Sequence, residues 1–369
     1  MRITQVAVFV ATNDLRGKVW NPQIRWHTKY SVIVRIETDR GVSGIGECWC
    51  FDAAPDALIA YLKSEVVPRL VGADPIERDA IRAVLWQTTT LSARHGIMAS
   101  ALSGIDIALW DIAAKAQGVP LYRLLGGKTG QVRLYASGGL YADGKDADGL
   151  AEELTGYLDA GFDWVKFKVG GLSVEEDAHR VLHVRKALGD GPALTIDGVY
   201  SYDARTAADF YERIAAADIH TFQSPVPADD IEGMAALATE HGVPVLALEA
   251  EYREQIIALL LERRAVSVLQ LALIACGGVS AGLRFAEKAA GHGIPCSLEC
   301  SSTAVAQMAA FHLAAARKQI ESVEYHMIHQ VLFELFPFDG SAIANGVLQL
   351  PDAPGLGLEI PDGLLARRA

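Results

Sequence analysis

The chain has 369 residues, of which 51% are hydrophobic and 21% are charged. This composition supplies a large apolar core and excludes a disordered chain, and the length suits two domains. The formal net charge of -12 argues against a nucleic-acid-binding protein, which would carry a basic stripe. An anionic substrate would therefore need local positive charge at its binding site.

The N-terminal sequence lacks the long apolar stretch of a signal peptide. No run of 18 apolar residues predicts a membrane span, and the nearest approach is Ala304–Ala316. The five cysteines predict buried, reduced thiols in a cytoplasmic protein. Cys48 and Cys50 lack a second pair of ligands, which argues against a zinc site. We therefore expect a cytoplasmic protein that binds neither membrane nor nucleic acid.

The first third of the chain has the pattern of an α+β unit, which we place at residues 1–128. Residues 30–38 are rich in β-formers, and the turn sequence that follows leads into VSGIGECWC, so a hairpin is predicted. From about residue 55 the apolar period becomes helical. One face of the predicted helix carries Leu102, Ile105, Leu109 and Ile112.

From residue 132 onward, short apolar strands alternate with amphipathic helices. The predicted strands are VRLYAS, WVKFKV, ALTIDG, TFQSPV, PVLALE, SVLQLAL, PCSLEC and SVEYH. Eight such units predict an α/β fold with a closed parallel (β/α) barrel of the TIM type at residues 129–340. An open doubly wound sheet would carry a glycine-rich G-x-G-x-x-G turn after its first strand, and none is present. Residues 341–369 are expected to return to the N-terminal cap.

Polar residues stand where these apolar strands end, at the edge where such barrels place their reaction centre. Asp197, Gln223 and Glu249 are spaced 26 residues apart on successive strands. Three oxygen-bearing side chains at one level can share a hard cation such as Mg²⁺. A hydrogen-bonded polar layer without metal is the alternative. Glu299 and Glu324 end two further strands.

The strand WVKFKV carries two lysines, Lys166 and Lys168, separated by Phe167. A period of two residues places both lysines on the inward face and Phe167 on the outward face. Two ammonium groups so close are expected to lower each other's pKa, which would provide a neutral lysine base. A solvated surface pair is the alternative, and the apolar strand around it argues against that.

The order Lys-x-Lys, Asp, acidic residue and Glu on successive strands resembles the enolase superfamily, and in particular its mandelate racemase/muconate lactonizing enzyme group. Residues 101–127 are similar to the helix and linker between the cap and the barrel of that family. Residues 275–280, 291–295 and 355–360 match further family motifs. The resemblance implies a modified, enolase-like barrel with a capping domain completed by the C-terminal tail, and a homo-oligomer.

Members of this family remove the α-proton of a carboxylate and stabilise the resulting enediolate on Mg²⁺. The resemblance assigns Lys168 as the base and Lys166 as the neighbour that lowers its pKa. It assigns Asp197 and Glu249 as metal ligands and Glu324 as a contact to the substrate.

The resemblance also assigns substrate specificity to the cap, through a loop spanning residues 15–27 and a second loop after Glu47. Arg25, Trp26 and His27 would grip a polyhydroxy acid there. Solvent-facing positions are the alternative for these three residues.

Three positions depart from the family pattern. Gln223 stands where a metal-binding glutamate is normal, so Mg²⁺ affinity should fall. Ala272 and Glu299 stand where the Asp-His dyad of mandelate racemase-like members is expected, and the sixth-strand lysine of muconate lactonizing-type members is also missing. The site could therefore bind metal weakly, bind an anion without metal, or be inactive, with Asp197 and Glu249 paired to the lysines.

The resulting expectation is an acid-sugar dehydratase, a lyase acting on a small carboxylate. Lys168 removes the α-proton, and Glu299, His326 or His329 protonates the leaving hydroxyl. A racemase, epimerase or cycloisomerase uses the same first step and remains an alternative. A carboxylate-binding paralogue that has lost catalysis is the second alternative.

Overall fold

The computed structural model describes residues 1–50, 55–87, 96–336 and 343–365. Its strands are β1 (Ile3–Trp20), β2 (Arg25–Thr38), β3 (Ser43–Cys48), β4 (Gln131–Ser137), β5 (Tyr141–Ala142), β6 (Trp164–Lys168), β7 (Ala193–Asp197), β8 (Thr221–Gln223), β9 (Val245–Ala247), β10 (Val268–Leu271), β11 (Cys296–Leu298), β12 (Ile320–His326) and β13 (Val347–Gln349). The expected boundary at residue 340 and part of the loop after Glu47 lie outside the described residues.

The helices divide between the cap and the barrel. The α-helices are α1 (Asp56–Tyr61), α2 (Val67–Leu70), α3 (Arg78–Gln87), α4 (Ile97–Ala116), α5 (Leu121–Leu124), α6 (Ala147–Asp159), α7 (Val174–Leu188), α8 (Ala204–Arg213), α9 (Ile231–Thr239), α10 (Glu254–Glu262), α11 (Leu273–Cys276), α12 (Gly278–Gly291), α13 (Ala304–Ala316), α14 (Gln330–Phe333) and α15 (Asp362–Leu365). A π-helical turn joins α1 to α2, and 3₁₀ turns follow α8 and β12.

Eight parallel strands close into the predicted barrel. The order is β4, β6, β7, β8, β9, β10, β11 and β12, and β12 pairs back to β4. Each strand is short and largely buried on both faces, because side chains fill the interior and helices cover the exterior. The predicted fold class is therefore confirmed, with the strand ends of β6–β12 brought to one mouth.

The cap is an antiparallel sheet in the order β3-β2-β1-β5, packed on helix α4. The predicted hairpin is confirmed as β2 and β3. The segment 15–27, expected to be a loop, is instead a second hairpin made of the end of β1 and the start of β2. The Asn21 side chain closes its turn by accepting the backbone N–H groups of Gln23 and Ile24 at 2.9 and 3.0 Å. This segment lacks the apolar alternation by which a strand is recognised from sequence.

A buried carboxylate fixes the cap over the mouth of the barrel. Glu47, in β3, accepts hydrogen bonds from the Thr303 hydroxyl at 2.6 Å, the Ala306 N–H at 3.1 Å and the Ser302 hydroxyl. It therefore caps the N-terminus of α13, where negative charge is favoured. Ser31 of β2 also contacts Ser302, at 2.8 Å between the hydroxyl oxygens. The barrel-facing side of β2 thus lies against the loop that follows β11.

The C-terminal segment contacts both parts of the protein. β13 pairs antiparallel with β4 of the barrel. Further along, the backbone N–H of Leu356 donates to Asp111 of helix α4 at 2.7 Å, and Gly355 accepts from the N–H of Leu121 at 2.9 Å. The segment therefore joins the barrel to the main cap helix.

Helix α4 is a buried core helix, although by length and composition it could cross a membrane. About four fifths of its most apolar window, 78%, is buried inside the protein. The sequence had pointed instead to Ala304–Ala316, which is a shorter apolar helix. Burial of this kind is typical of the central helix of a packed domain.

The five cysteines are all buried free thiols, as expected. Burial raises the pKa of Cys276 and of Cys296 to about 12. These two thiols therefore stay protonated and behave as small apolar groups.

Two glycines let β3 approach helix α4 closely. A Cβ atom on Gly46 would lie 1.9 Å from the carbonyl oxygen of Gly104, and one on Gly44 would lie 2.2 Å from that of Ala108. Both contacts are with backbone atoms, so no side chain can move aside to relieve them.

We expect Gly46→Ala to lower the free energy of unfolding by about 3 kcal/mol, because the strand would have to separate from the helix. Urea unfolding followed by circular dichroism measures this change. Gly156→Ala is the matched control, since no atom lies within 4 Å of a Cβ built on this helical glycine. Equal stability of the two variants would contradict the close packing of β3 on α4.

Candidate active site

The two lysines of β6 point into the barrel, as their spacing predicted. Lys166 and Lys168 are 1% and 7% exposed, and Phe167 is buried in the barrel's main hydrophobic core. The Lys168 ammonium donates to Asp197 Oδ2 at 2.5 Å. The Lys166 ammonium donates to Gln223 Oε1 and lies against Glu324 Oε1, each at 2.7 Å. Four strands thus contribute side chains to one buried polar cluster.

The charge state of Lys166 differs from the expectation. Burial alone would lower the pKa of Lys166, but the negative charges of Glu324 and Asp197 outweigh it and raise the pKa. The prediction of a lowered pKa is therefore wrong for Lys166. Its ionic partner Glu324 has a lowered pKa, since Lys166 and Lys168 outweigh the effect of burial. Lys166 and Glu324 thus form a fixed ion pair.

Asp197 and Gln223 end the neighbouring strands β7 and β8, and Glu249 lies in the turn after the next strand, β9. Asp197 and Gln223 are direct partners in the sheet register. Gln223 Oε1 accepts a second hydrogen bond, from Gln270 Nε2 at 3.3 Å. Glu249 Oε2 accepts from the Ser224 hydroxyl at 3.3 Å. The three oxygen-bearing groups therefore face the same side of the mouth.

The backbone beside these groups adopts unusual conformations. Val199, Tyr200 and Ser224 have φ values of 48°, 60° and 44°. Positive φ is costly for residues with a side chain, and most of all for a β-branched one. Such strain is typical of functional sites, where the fold holds a loop in a required position.

Glu299 lies across the barrel from Asp197, at the end of β11. It is 7% exposed, and its Oε2 atom makes no hydrogen bond with any described residue. Burial, together with the charges of Glu324 and Glu249, raises its pKa well above the ordinary value. This shift favours the protonated carboxyl group, whose O–H would be available to a ligand.

His326 and His329 are also buried in this mouth. Their rings stack with centroids 4.5 Å apart, and the ring of Trp26 stacks on His329 at 5.4 Å. His329 Nε2 lies 3.1 Å from the Ser301 hydroxyl. Burial, reinforced by nearby positive charge, lowers the pKa of both histidines well below its ordinary value. Both rings are therefore neutral.

The structure does not bring Arg25 and His27 into this buried cluster. Both are exposed on β2, and the Arg25 guanidinium donates to Asp143 at 3.0 and 3.2 Å and to the Gly17 carbonyl at 2.8 Å. Trp26, between them, is buried beside His329. A role for Arg25 and His27 in binding substrate stays a prediction.

Comparison with known families agrees with this geometry. Residues 149–363 match the enolase C-terminal domain-like family, and residues 4–126 match the N-terminal domain of mandelate racemase and muconate lactonizing enzyme. The chain belongs to the enolase superfamily. The predicted resemblance is thereby confirmed over nearly the whole chain.

Individual relatives in the enolase superfamily are enzymes. The chain is 30% identical to an arabinonate dehydratase from Saccharolobus solfataricus, over 95% of this chain and 94% of the relative. It is 32% identical to a D-galactarolactone cycloisomerase from Agrobacterium fabrum, over 98% and 97%. A racemase from Streptomyces coelicolor A3(2), solved with bound magnesium, aligns over 100% of both chains with a TM-score of 0.91. At 23% identity, this last likeness shows the shared fold alone.

The donor set at the mouth fits the Mg²⁺ ion of the enolase superfamily in kind, but with less charge. No group of three or more His, Cys, Asp or Glu side chains within the described ranges suits a metal ion, so a site here needs the carbonyl of Gln223 as its third ligand. Burial and the Asp197 carboxylate raise the pKa of Glu249, which shows that two carboxylates compete within one buried space. A divalent cation would relieve this repulsion, and all three donors are hard oxygens.

Several residues of the mouth were missed by sequence reasoning. Tyr135 and Gln270 are polar residues inside otherwise apolar strands, and Gln270 donates to the Tyr135 hydroxyl at 3.1 Å. Reading every inward polar position, and not only strand ends, would have found both. Lys29 reaches the mouth from the cap, and only its two-residue spacing from Ser31 and Ile33 on the barrel-facing side of β2 could have indicated it.

Proposed function

We propose that this enolase-superfamily protein is an acid-sugar dehydratase. It would remove the proton α to the carboxylate of a polyhydroxylated acid and eliminate the neighbouring hydroxyl as water. The observation that carries the proposal is the Glu299 carboxyl group, which is buried in the same barrel mouth as the Lys166–Lys168 pair and whose Oε2 makes no hydrogen bond with any described residue. Its raised pKa favours the protonated form that an acid catalyst needs. A base and an acid on opposite sides of one pocket are what such an elimination requires.

Lys168 is proposed as the base. In the structure its ammonium is held by Asp197 at 2.5 Å, so it must leave this bond and lose its proton before it can accept one. Asp197, Gln223 and Glu249 would hold Mg²⁺, which supplies positive charge to the substrate carboxylate. Lys166 adds a second, fixed positive charge, because Glu324 keeps it protonated. Charge placed in advance where negative charge develops is the main source of such catalysis.

Glu299 is proposed as the acid. Its proton moves to the β-hydroxyl as the carbon–oxygen bond breaks, and water and an enol leave the site. The enol rearranges to a 2-keto-3-deoxy acid, Glu299 is protonated again from solvent, and Lys168 releases the α-proton to solvent. His326 and His329 fit this role less well, since both rings are neutral and a positive charge there would be opposed by nearby lysines.

The relatives support removal of the α-proton but do not decide between dehydration and cycloisomerisation. An arabinonate dehydratase shares 30% identity, and a D-galactarolactone cycloisomerase shares 32%. The cycloisomerase makes ring chemistry the second candidate, because Glu299 could protonate a ring oxygen in place of a free hydroxyl. The intact lysine pair and the strained strand ends argue against a binding protein that has lost catalysis. By resemblance we also propose a homo-oligomer, and the five buried free thiols favour a cytoplasmic protein.

The test is product formation from a panel of acid sugars in the presence of Mg²⁺. We expect a 2-keto-3-deoxy acid from at least one of them, detected by its semicarbazone absorbance. A ring-closed or ring-opened isomer, seen by NMR without keto acid, would favour the cycloisomerase. Tight binding of acids without any product would overturn the enzyme proposal.

A further inference from the structure

One face of β2 projects three residues towards the barrel. Ile33 packs in the barrel's main hydrophobic core, and Ser31 contacts Ser302 at 2.8 Å. Val32 and Val34, on the other face, belong to the separate core of the cap. Because side chains alternate along a strand, Lys29 points in the same direction as Ser31 and Ile33. It is 2% exposed, so its ammonium is buried where the cap meets the mouth of the barrel.

The surroundings of Lys29 are aromatic and titratable. Its Nζ atom lies 5.5 Å from the centroid of the Trp49 ring, and the Trp49 backbone is fixed by a 3.1 Å bond from its N–H to the Ile274 carbonyl. Lys29 also acts electrostatically on Glu299, His326 and His329. The Lys29 ammonium thus belongs to the β11–β12 side of the mouth.

The proposed metal ligands lie on the opposite side. In the closed ring of eight strands, β7 faces β11 and β8 faces β12. Asp197 and Gln223 therefore lie across the mouth from Glu299 and His326. The carboxylate next to the reacting carbon would be held on the β7–β8 side, and the far end of an extended acid would reach towards Lys29.

We propose that Lys29 binds a second carboxylate at the far end of the substrate, so that the preferred substrates are hydroxylated dicarboxylates. This inference rests on the proposed function, which places the first carboxylate beside Lys166 and Asp197. A buried ammonium forms a strong, charge-assisted hydrogen bond with a carboxylate. The hydroxymethyl end of a monocarboxylate is neutral and could not form an ion pair with Lys29.

The experiment compares matched acids by titration calorimetry with Mg²⁺ present. The probes are galactarate with galactonate and glucarate with gluconate, which differ only in the oxidation state of the far end. We expect the parent to bind at least one diacid more tightly than its monoacid partner. Lys29→Met is expected to raise the Kd for that diacid roughly 10- to 100-fold and to leave the Kd for the monoacid unchanged.

Two further variants separate charge from structure. Lys29→Arg keeps the charge and is expected to retain the preference for the diacid, even if Lys29→Met proves unstable in thermal unfolding. Lys63→Met removes an exposed positive charge from the cap and is expected to change neither Kd. Equal weakening of both acids, no weakening of the diacid, or failure of the parent to bind any diacid more tightly would overturn the inference. Failure of the proposed function would be observed separately, because an acid would then bind to the parent without being converted to product.

Discussion

Glu299→Gln is expected to stop dehydration while leaving exchange of the substrate α-proton in place. The amide has nearly the same shape as the buried carboxyl group but cannot give up a proton as an acid. General acid catalysis of this kind contributes about 10²- to 10⁴-fold, so keto-acid formation should fall by that factor. Lys168 lies on the other side of the mouth, so removal of the α-proton should continue.

Two measurements on one sample follow the two steps. Semicarbazone absorbance reports product, and ¹H NMR in D₂O reports loss of the α-proton signal from recovered substrate. Glu321→Gln is the matched control, because Glu321 is an exposed residue near the start of β12 and its replacement should alter neither rate. If Glu299→Gln loses proton exchange and dehydration to the same extent, Glu299 does not act specifically in the loss of the hydroxyl. If the rate of dehydration is unchanged, Glu299 has no part in catalysis.

Gln223→Glu is expected to tighten Mg²⁺ binding at least about tenfold, a free-energy change of about 1.4 kcal/mol or more. The substitution gives the three-oxygen set a third negative charge, and Mg²⁺ prefers carboxylate ligands. The gain is opposed in part by Lys166, which donates to Gln223 Oε1 at 2.7 Å and would pair with the new carboxylate.

Calorimetric titration of metal-stripped protein with Mg²⁺ measures this change. Gln131→Glu is the control, since Gln131 is exposed at the start of β4, at the opposite end of the barrel. Binding of about one ion per chain by the parent would support Gln223 as a ligand. Binding by the Gln223→Glu variant alone would favour a protein that has lost its metal. If neither the parent nor Gln223→Glu binds Mg²⁺, the assignment of Asp197, Gln223 and Glu249 as a metal site is contradicted.

Features that depend on local pattern could be predicted from the sequence. The alternation of short apolar strands with amphipathic helices was enough for the barrel, because each unit carries its own period. The two-residue spacing of Lys166 and Lys168 was enough to place both inside. The equal spacing of Asp197, Gln223 and Glu249 placed them on adjacent strands. In each case the sequence pattern that supports the prediction lies within one strand or helix, or in the order of strands and helices along the chain.

Features that depend on contacts between distant elements could not be predicted in this way. The pKa of Lys166 is raised because Glu324, from the last barrel strand, lies 2.7 Å away, and no local pattern carries that distance. Lys29 lies at the mouth because contacts of Glu47 and Ser31 hold the cap over the loop after β11. The stacking of His329 between His326 and Trp26 likewise joins the barrel to the cap, and no local pattern indicates it.

Exchange of the substrate α-proton in D₂O tests the central claim most directly, because it isolates the step assigned to Lys168. The parent protein and Lys168→Met would each be incubated with Mg²⁺ and an acid shown by calorimetry to bind. We expect the parent to lose the α-proton signal in the ¹H NMR spectrum, and Lys168→Met to do so at least about 100-fold more slowly. An acid that binds the parent without any exchange, or equal exchange by both proteins, would contradict the account.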